Sequence, residues 1–235
     1  MLRVESIRVG YGDIVIISDL SIRINRGETV ALIGGNGAGK TTILKAICGL
    51  QSLTKGSVVF MDRDITGMFT YQIAKLGLIM ILSNARVFPK FSVRDNLLMG
   101  TLASGSDTRA FDKKLEEVHE LFPILRDRAR QRAETLSGGE RQMLAMGRAL
   151  MSEPKLLMMD EPTAGLAPKL AEEVFEFVRK MEHLGLTLLI VEEKVDKVLR
   201  VADRAYVLQN GRIVIEGTST EVRQSAEMLR AYTGI

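Results

Sequence analysis

Apolar and polar positions alternate with a period of two through most of the first stretch of chain. This predicts strands at Leu2 to Val9, Ile14 to Ile17 and Ser21 to Ile24. The next run, Thr29-Val30-Ala31-Leu32-Ile33, is apolar on both faces after its first residue and predicts a strand buried on both sides. Glycines crowd positions 34–39, and Lys40 to Leu50 then follows helical spacing with Gly49 near its end. Further on, Gly56 to Met61 and the apolar Leu76 to Leu82 read as strands. From Asn84 to Leu150 the period lengthens to that of helices. Ser92 caps a helix starting at Val93, a charged amphipathic stretch runs from Phe111 to Leu125, and a third helix follows Leu136-Ser137. Strand character returns at Lys155 to Met159, Leu186 to Val191 and Ala205 to Leu208, with a helix at Lys169 to Glu182 between the first two. Strands alternating with helices predict an α/β fold with a mostly parallel sheet and helices on its faces. The chain reads as one domain over 1–235 with a helical subdomain inserted at 84–150, and Gly105-Ser106-Asp107 is its one linker-like spot.

The glycine stretch changes this from a fold into a site. Gly34-Gly35-Asn36-Gly37-Ala38-Gly39-Lys40-Thr41 satisfies G-x-x-x-x-G-K-[ST] and lies between a buried strand and a helix start, where a phosphate-binding loop belongs. Glycines let successive N–H groups turn inward around phosphates, and the helix adds its positive end. Lys40 reaches the β- and γ-phosphates of ATP, and the Thr41 hydroxyl ligates Mg²⁺; Thr42 follows in the same first turn. A second feature completes the first. Lys155-Leu-Leu-Met-Met-Asp160-Glu161 is an apolar strand ending in two acids, which delivers Asp160 to the metal and Glu161 to the attacking water as general base or orienting group.

Leu136-Ser137-Gly138-Gly139-Glu140-Arg141-Gln142, taken with the phosphate loop and Asp160-Glu161-Pro162, resembles the nucleotide-binding subunit of ABC transporters, in the family's order and over essentially the whole chain. By itself Ser137 is a helix cap, with Gly138 and Gly139 offering unhindered N–H groups at a helix start. The resemblance implies more. It implies a P-loop NTPase fold with a RecA-like parallel core, an antiparallel β-subdomain from the N-terminal third and the inserted helical subdomain. It also implies a dimer in which Ser137, Gly138, Gly139 and Glu140 of one protomer cap the γ-phosphate held by the other. Tyr11, in Gly10-Tyr11-Gly12-Asp13, matches the family's aromatic that stacks on adenine. Gly165-Leu-Ala-Pro168 and Arg86-Val-Phe-Pro-Lys-Phe-Ser-Val-Arg-Asp-Asn-Leu97 resemble the subgroup serving branched-chain and other hydrophobic amino-acid importers. The partners implied are transmembrane permease subunits, contacted near Arg86 to Asn96, a second ATPase subunit, identical or related, and indirectly a periplasmic-type solute-binding protein.

Two positions depart from the family. Where a glutamine or glutamate follows the strand at Leu78 to Leu82, this chain has Ser83, whose short hydroxyl needs a water to reach a metal. Where a histidine or glutamine meets the γ-phosphate, it has Glu193 in Val191-Glu192-Glu193-Lys194. A carboxylate ~4 Å from a phosphate oxygen costs several kcal/mol at an effective dielectric near ~20. Glu193 is therefore expected to be protonated, bridged by water, paired with a cation such as Lys194, or turned away. His119 and His183, both on charged helices, are expected at the surface.

Composition narrows the rest. With 32 basic and 29 acidic residues the formal charge is only +3, and no block of like charge suggests a nucleic-acid tail. The longest apolar runs, Leu76 to Leu82 and Leu186 to Val191, are far shorter than the ~18 residues of a membrane span. The first ten residues lack the apolar core of a signal peptide, so the expected place is the cytoplasmic face of the membrane, bound peripherally. The single Cys48 reads as a small buried hydrophobe. Two rival readings stand beside transport: a soluble ATP-dependent switch acting on nucleic acid or the ribosome, against which the absence of sustained heptads counts, and a module that clamps ATP with little turnover.

Overall fold

The computed structural model describes residues 1–83, 86–104 and 108–225. The linker-like Gly105-Ser106-Asp107 and Asn84, the first residue of the expected helical subdomain, lie outside the described residues. Two sheets stand among the rest. Strands β1 (Leu2–Tyr11), β2 (Ile14–Ile24), β4 (Leu53–Phe60) and β5 (Arg63–Asp64) form an antiparallel sheet in the order β2-β1-β4-β5. Strands β3 (Thr29–Gly34), β6 (Leu78–Ile81), β7 (Leu156–Asp160), β8 (Thr187–Glu192), β9 (Arg204–Gln209) and β10 (Arg212–Thr218) form the second, in the order β10-β9-β3-β8-β7-β6. All its pairings are parallel except the β9–β10 hairpin.

The parallel strands are buried on both faces, and their alternation sorts residues between two cores. Val30, Leu32, Met158, Leu189 and Val191 pack with the antiparallel sheet and with helix α1 (Lys40–Ile47). Ala31, Ile33, Met159, Leu188 and Ile190 face the other way, into a core shared with the remaining helices. A strand covered on both sides reads as an uninterrupted apolar run, which is why β3, β7 and β8 are clear from sequence.

Between β6 and β7 lie α3 (Val93–Ser104), α4 (Thr108–Leu121), α5 (Pro123–Asp127) and α6 (Gly138–Leu150). Their residues Val93, Leu97, Val118 and Leu144 belong to the same core as the sheet face. The predicted stretch Phe111 to Leu125 is two helices, because Pro123 lacks the N–H to continue the first and sits at the first position of the second. The two strands expected at Ile14 to Ile17 and Ser21 to Ile24 are one. β2 carries register shifts against β1, and Asp19 is at φ +58°, so the break in alternation marks a bulge. Helix α2 (Thr70–Lys75), hairpin strand β10, and short helices α8 (Val195–Val198) and α9 (Ser219–Gln224) were not legible. The helix over Lys169 to Glu182 is α7 (Pro168–His183).

One expectation fails on burial. His119 is 6 % exposed, with the apolar Val118 of the same helix at 0 %, whereas His183 is exposed as expected. The charged residues around His119 occupy the outer face of α4, and 119 falls on the inner one. Burial lowers its pKa. Cys48 is buried and its thiol is pushed up to about 11, as suits a small hydrophobe.

Candidate functional site

The loop from Gly34 to Gly39 leaves the end of β3 and enters α1 at Gly39, whose φ of +105° is a conformation that side chains resist. No side chain caps this helix, so its first N–H groups stay available to a ligand. The loop is braced from outside: Gly211, in the β9–β10 turn, donates its N–H to the Ala38 carbonyl at 3.1 Å and accepts from Ser18 N–H at 3.4 Å. Asn36 and Gly37 lie at the exposed rim, and Thr42 is buried beneath.

Lys40 is 4 % exposed and its ammonium donates to the Gly34 carbonyl at 2.8 Å and the Gly35 carbonyl at 3.0 Å. The Glu161 and Glu193 carboxylates each stand 3.6 Å from the same nitrogen. Thr41 donates its hydroxyl toward Asp160, 3.0 Å from both carboxylate oxygens. Residues far apart in sequence thus meet because β3 and β7 end at the same edge of one parallel sheet, with β8 between them.

Burial shifts both acids in the same direction. It pushes the Asp160 carboxyl up, opposed by the Thr41 hydroxyl and by Lys40. Glu161 is also raised, first by burial; Lys40 pulls it back, while Glu193 and Asp160 push it further up. A carboxyl raised in this way is better matched to taking a proton near neutrality. Glu161 sits at φ +46°, held by its N–H donating to the Val191 carbonyl at 2.9 Å.

The hard oxygens of Thr41 and Asp160, already in contact, fit a Mg²⁺ that takes its other ligands from phosphate and water. The buried ammonium and the uncapped N-terminus of α1 fit an anion.

Glu193 is turned toward Lys40, not away and not onto Lys194. The Lys194 ammonium instead donates to the Thr163 carbonyl at 3.2 Å. Ser83 is half-buried two residues past β6, and among the described residues no hydrogen bond joins it to Lys40, Thr41 or Asp160. Tyr11 ends β1 and is 46 % exposed; next to it the Gln51 amide donates to the Gly10 carbonyl at 2.7 Å.

Ser137 caps α6 in a reciprocal box: Glu140 N–H donates to its hydroxyl at 3.3 Å, and Ser137 N–H donates to the Glu140 carboxylate at 2.8 Å. That bond holds the Glu140 carboxyl below the usual carboxylate range, and Arg128 at 2.9 Å adds to it. Ser137 and Gly138 are exposed, with open space around Gly138, while Gly139 is buried against Leu170. Among the described residues, no bond links this segment to the loop at 34–41 of the same chain.

Sequence reading missed Glu192. It is 2 % exposed, yet its carboxylate accepts from Thr163 and from the Glu193 N–H. The signal available was the run itself, since an acid that continues a strand covered on both faces must find buried donors.

Comparison with known proteins agrees with this geometry. The family model described as ABC transporter matches residues 17–164. The BraG protein of Pseudomonas aeruginosa, a high-affinity branched-chain amino acid transport ATP-binding protein, is 40 % identical over 234 residues, covering 100 % of both chains. The LivF protein of Archaeoglobus fulgidus, a probable branched-chain amino acid transport ATP-binding protein, is 36 % identical over 236 residues, covering 100 % of this chain and 99 % of its own. Among solved structures, an ATP-binding cassette of an ABC transporter in its ADP conformation superposes with a TM-score of 0.89 at 30 % identity, covering 100 % of this chain and 99 % of that one. A nucleotide-free cassette gives 0.86 at the same identity. With a buried lysine, a hydroxyl–carboxylate pair and a second acid gathered at one sheet edge, and relatives matched from end to end, the chain belongs to the ABC transporter family and has the architecture of its ATP-binding cassettes.

Proposed function

We propose that this chain binds and hydrolyses ATP to drive uptake of branched-chain amino acids through separate permease subunits, working peripherally at the cytoplasmic face of the membrane. The observation that carries the reading is the convergence of Lys40, Thr41, Asp160 and Glu161 at the ends of β3 and β7. The substrate class comes from what the relatives are named for. No helix among the described residues is long and apolar enough to cross a membrane, so a permease must be a different chain in this reading.

The N–H groups of residues 34–39 and the ammonium of Lys40 hold the β- and γ-phosphates. Thr41 and Asp160 hold Mg²⁺, which supplies charge neutralisation on the transferring phosphoryl group when bound. Glu161 orients the attacking water and accepts its proton. Tyr11 offers its ring to adenine. Ser137, Gly138, Gly139 and Glu140 cap the γ-phosphate of a second subunit, identical or related, so that two ATP are enclosed between two chains. A cavity of about 430 Å³ between β6, α3 and α6, lined by Leu82, Arg86, Phe88, Met99 and Arg148, supports the stretch from Arg86 to Asn96 as the permease contact. A periplasmic-type solute-binding protein acts upstream of the permease, and no nucleic acid takes part.

The test is phosphate release and MgATP binding by the purified chain, with labelled leucine uptake in cells lacking its gene. Lys40→Ala abolishes MgATP binding, and Glu161→Gln binds but does not turn over. The parent restores uptake and Glu161→Gln does not. Undiminished MgATP binding by Lys40→Ala, or uptake that is indifferent to the gene, overturns the reading.

A further inference from the structure

The strand-end loops that carry Glu161 and Glu193 are joined through a residue that, among the described residues, makes no hydrogen bond to Lys40, Thr41 or Asp160. Glu192 closes β8 with its side chain inside the protein, 2 % exposed. Each of its oxygens serves a different loop. Oε1 accepts from the Thr163 N–H at 3.0 Å and from the Thr163 hydroxyl at 2.6 Å. Oε2 accepts from the Glu193 N–H at 3.1 Å. Thr163 is itself 0 % exposed, two residues past Glu161, and its carbonyl accepts from the Lys194 ammonium at 3.2 Å.

A buried carboxylate with fewer donors would be strongly unfavourable, so these bonds fix both loops against one anchor. The anchoring has a local task. Glu161 is in a left-handed conformation that a residue with a side chain holds only when its surroundings enforce it. Its own N–H is tied to Val191, the residue before Glu192, and Thr163 is tied to Glu192, so the turn is gripped on both sides of its strained position. Glu193, pinned by its N–H to the same carboxylate, then brings its side chain to the same 3.6 Å from Lys40 as Glu161.

We propose that Glu192, acting with Thr163, is a positioning residue for ATP hydrolysis: one buried carboxylate sets where Glu161 and Glu193 stand relative to Lys40. This rests on the ATPase reading above. Removing the anchor lets the Glu161 turn relax and slows the chemical step, while the phosphate loop, braced separately by Gly211, keeps its hold on nucleotide.

The experiment compares steady-state hydrolysis by the full chain for the parent, Glu192→Gln, Thr163→Val, Thr163→Ser and the double variant Glu192→Gln/Thr163→Val, with thermal melting alongside. Gln places an amide donor against the Glu193 N–H; Val removes only the hydroxyl donor at nearly constant shape; Ser restores it. The expected result is a kcat about tenfold or more lower for Glu192→Gln and Thr163→Val, KM for ATP no more than about threefold above that of the parent, recovery of kcat in Thr163→Ser, and a double variant no slower than the worse single one. Folded Glu192→Gln and Thr163→Val with parental kcat overturn the proposal. So does a Thr163→Ser as slow as Thr163→Val, or a fall in kcat matched by an equal rise in KM. If Glu192→Gln does not fold, the two Thr163 variants decide alone. A parent chain that hydrolyses no ATP would instead count against the ATPase reading itself.

Discussion

The most informative single residue is Glu193. Two like charges ~4 Å apart at an effective dielectric near ~20 repel by about 4 kcal/mol before relaxation, and Glu193 already shares the Lys40 ammonium with Glu161. A triphosphate entering this site has to compete with two carboxylates for one cation. Glu193→Gln therefore lowers KM for ATP, by about tenfold for each ~1.4 kcal/mol of repulsion removed. Glu193→His, which also supplies a donor, raises kcat as well. Unchanged kinetics in both variants would show that the carboxylate does not act on the nucleotide. His119 offers a pH test elsewhere in the molecule. Its folded pKa is lowered by burial, and its Nε2 meets no hydrogen-bond partner among the described residues. The neutral form is the one the fold accepts, so this contribution to stability is fully present above the unfolded pKa of ~6.5 and is lost as pH falls below it. Urea melts at decreasing pH should show a loss of stability that His119→Leu diminishes. At this scale the motifs named Lys40, Thr41, Asp160 and Glu161, which the fold brings together, but could not say which way Glu193 points. That depends on the neighbouring Glu192 being anchored to Thr163 across the sheet edge, a tertiary contact with no local pattern.

Among elements, those with a strong internal signal were legible and those held by context were not. β3, β7 and β8 read as apolar runs because both faces are covered, and α7 read as a helix from its amphipathic spacing. β10 alternates half-buried with exposed positions and α2 has a single buried residue, Ile73, so neither rises above the pattern of a loop. The β9–β10 turn carries more weight than its length suggests. Gly211 is at φ +74°, and a Cβ there would lie 1.9 Å from the Ile16 carbonyl oxygen, while its N–H supports Ala38 in the phosphate loop. Gly211→Ala should lower Tm by roughly 5 °C from strain of about 1–3 kcal/mol. It should also weaken ATP binding although it lies far along the chain from the loop. Melting and fluorescent-nucleotide titration read the two effects, and a variant that melts lower but binds normally would detach the turn from the loop.

Taken whole, the chain keeps apart, among the described residues, two segments that the proposed function joins across a dimer: the phosphate loop with its acids, and the Ser137 segment at the start of α6. Ser137 and Gly138 face solvent with their donors at a helix N-terminus, which suits an anion brought by another subunit. Glu161→Gln should accumulate as a dimer on a sizing column when MgATP is added. Adding Ser137→Arg should return it to monomer while ATP binding to its own loop persists. A dimer that forms equally with Ser137→Arg would place the contact elsewhere. The fold class was legible at this scale because alternating strands and helices imply a mostly parallel sheet, whereas the strand order was not. The sharing of one core between the sheet and helices α3 to α6 was not, since a sequence boundary near 84–150 says nothing of what those helices pack on.

The position of β3 in its sheet also bears on how the polypeptide survives its own synthesis. β3 ends at Gly34, but the strands that occupy its two edges, β8 and β9, begin at Thr187 and Arg204. At ~5–20 residues per second, a ribbon apolar beyond its first residue waits roughly 8 to 30 s with both edges bare, the condition under which strands recruit neighbours from other nascent chains. A message cut short between the codons for residues 34 and 187 is therefore expected to yield aggregate in place of a weakened enzyme.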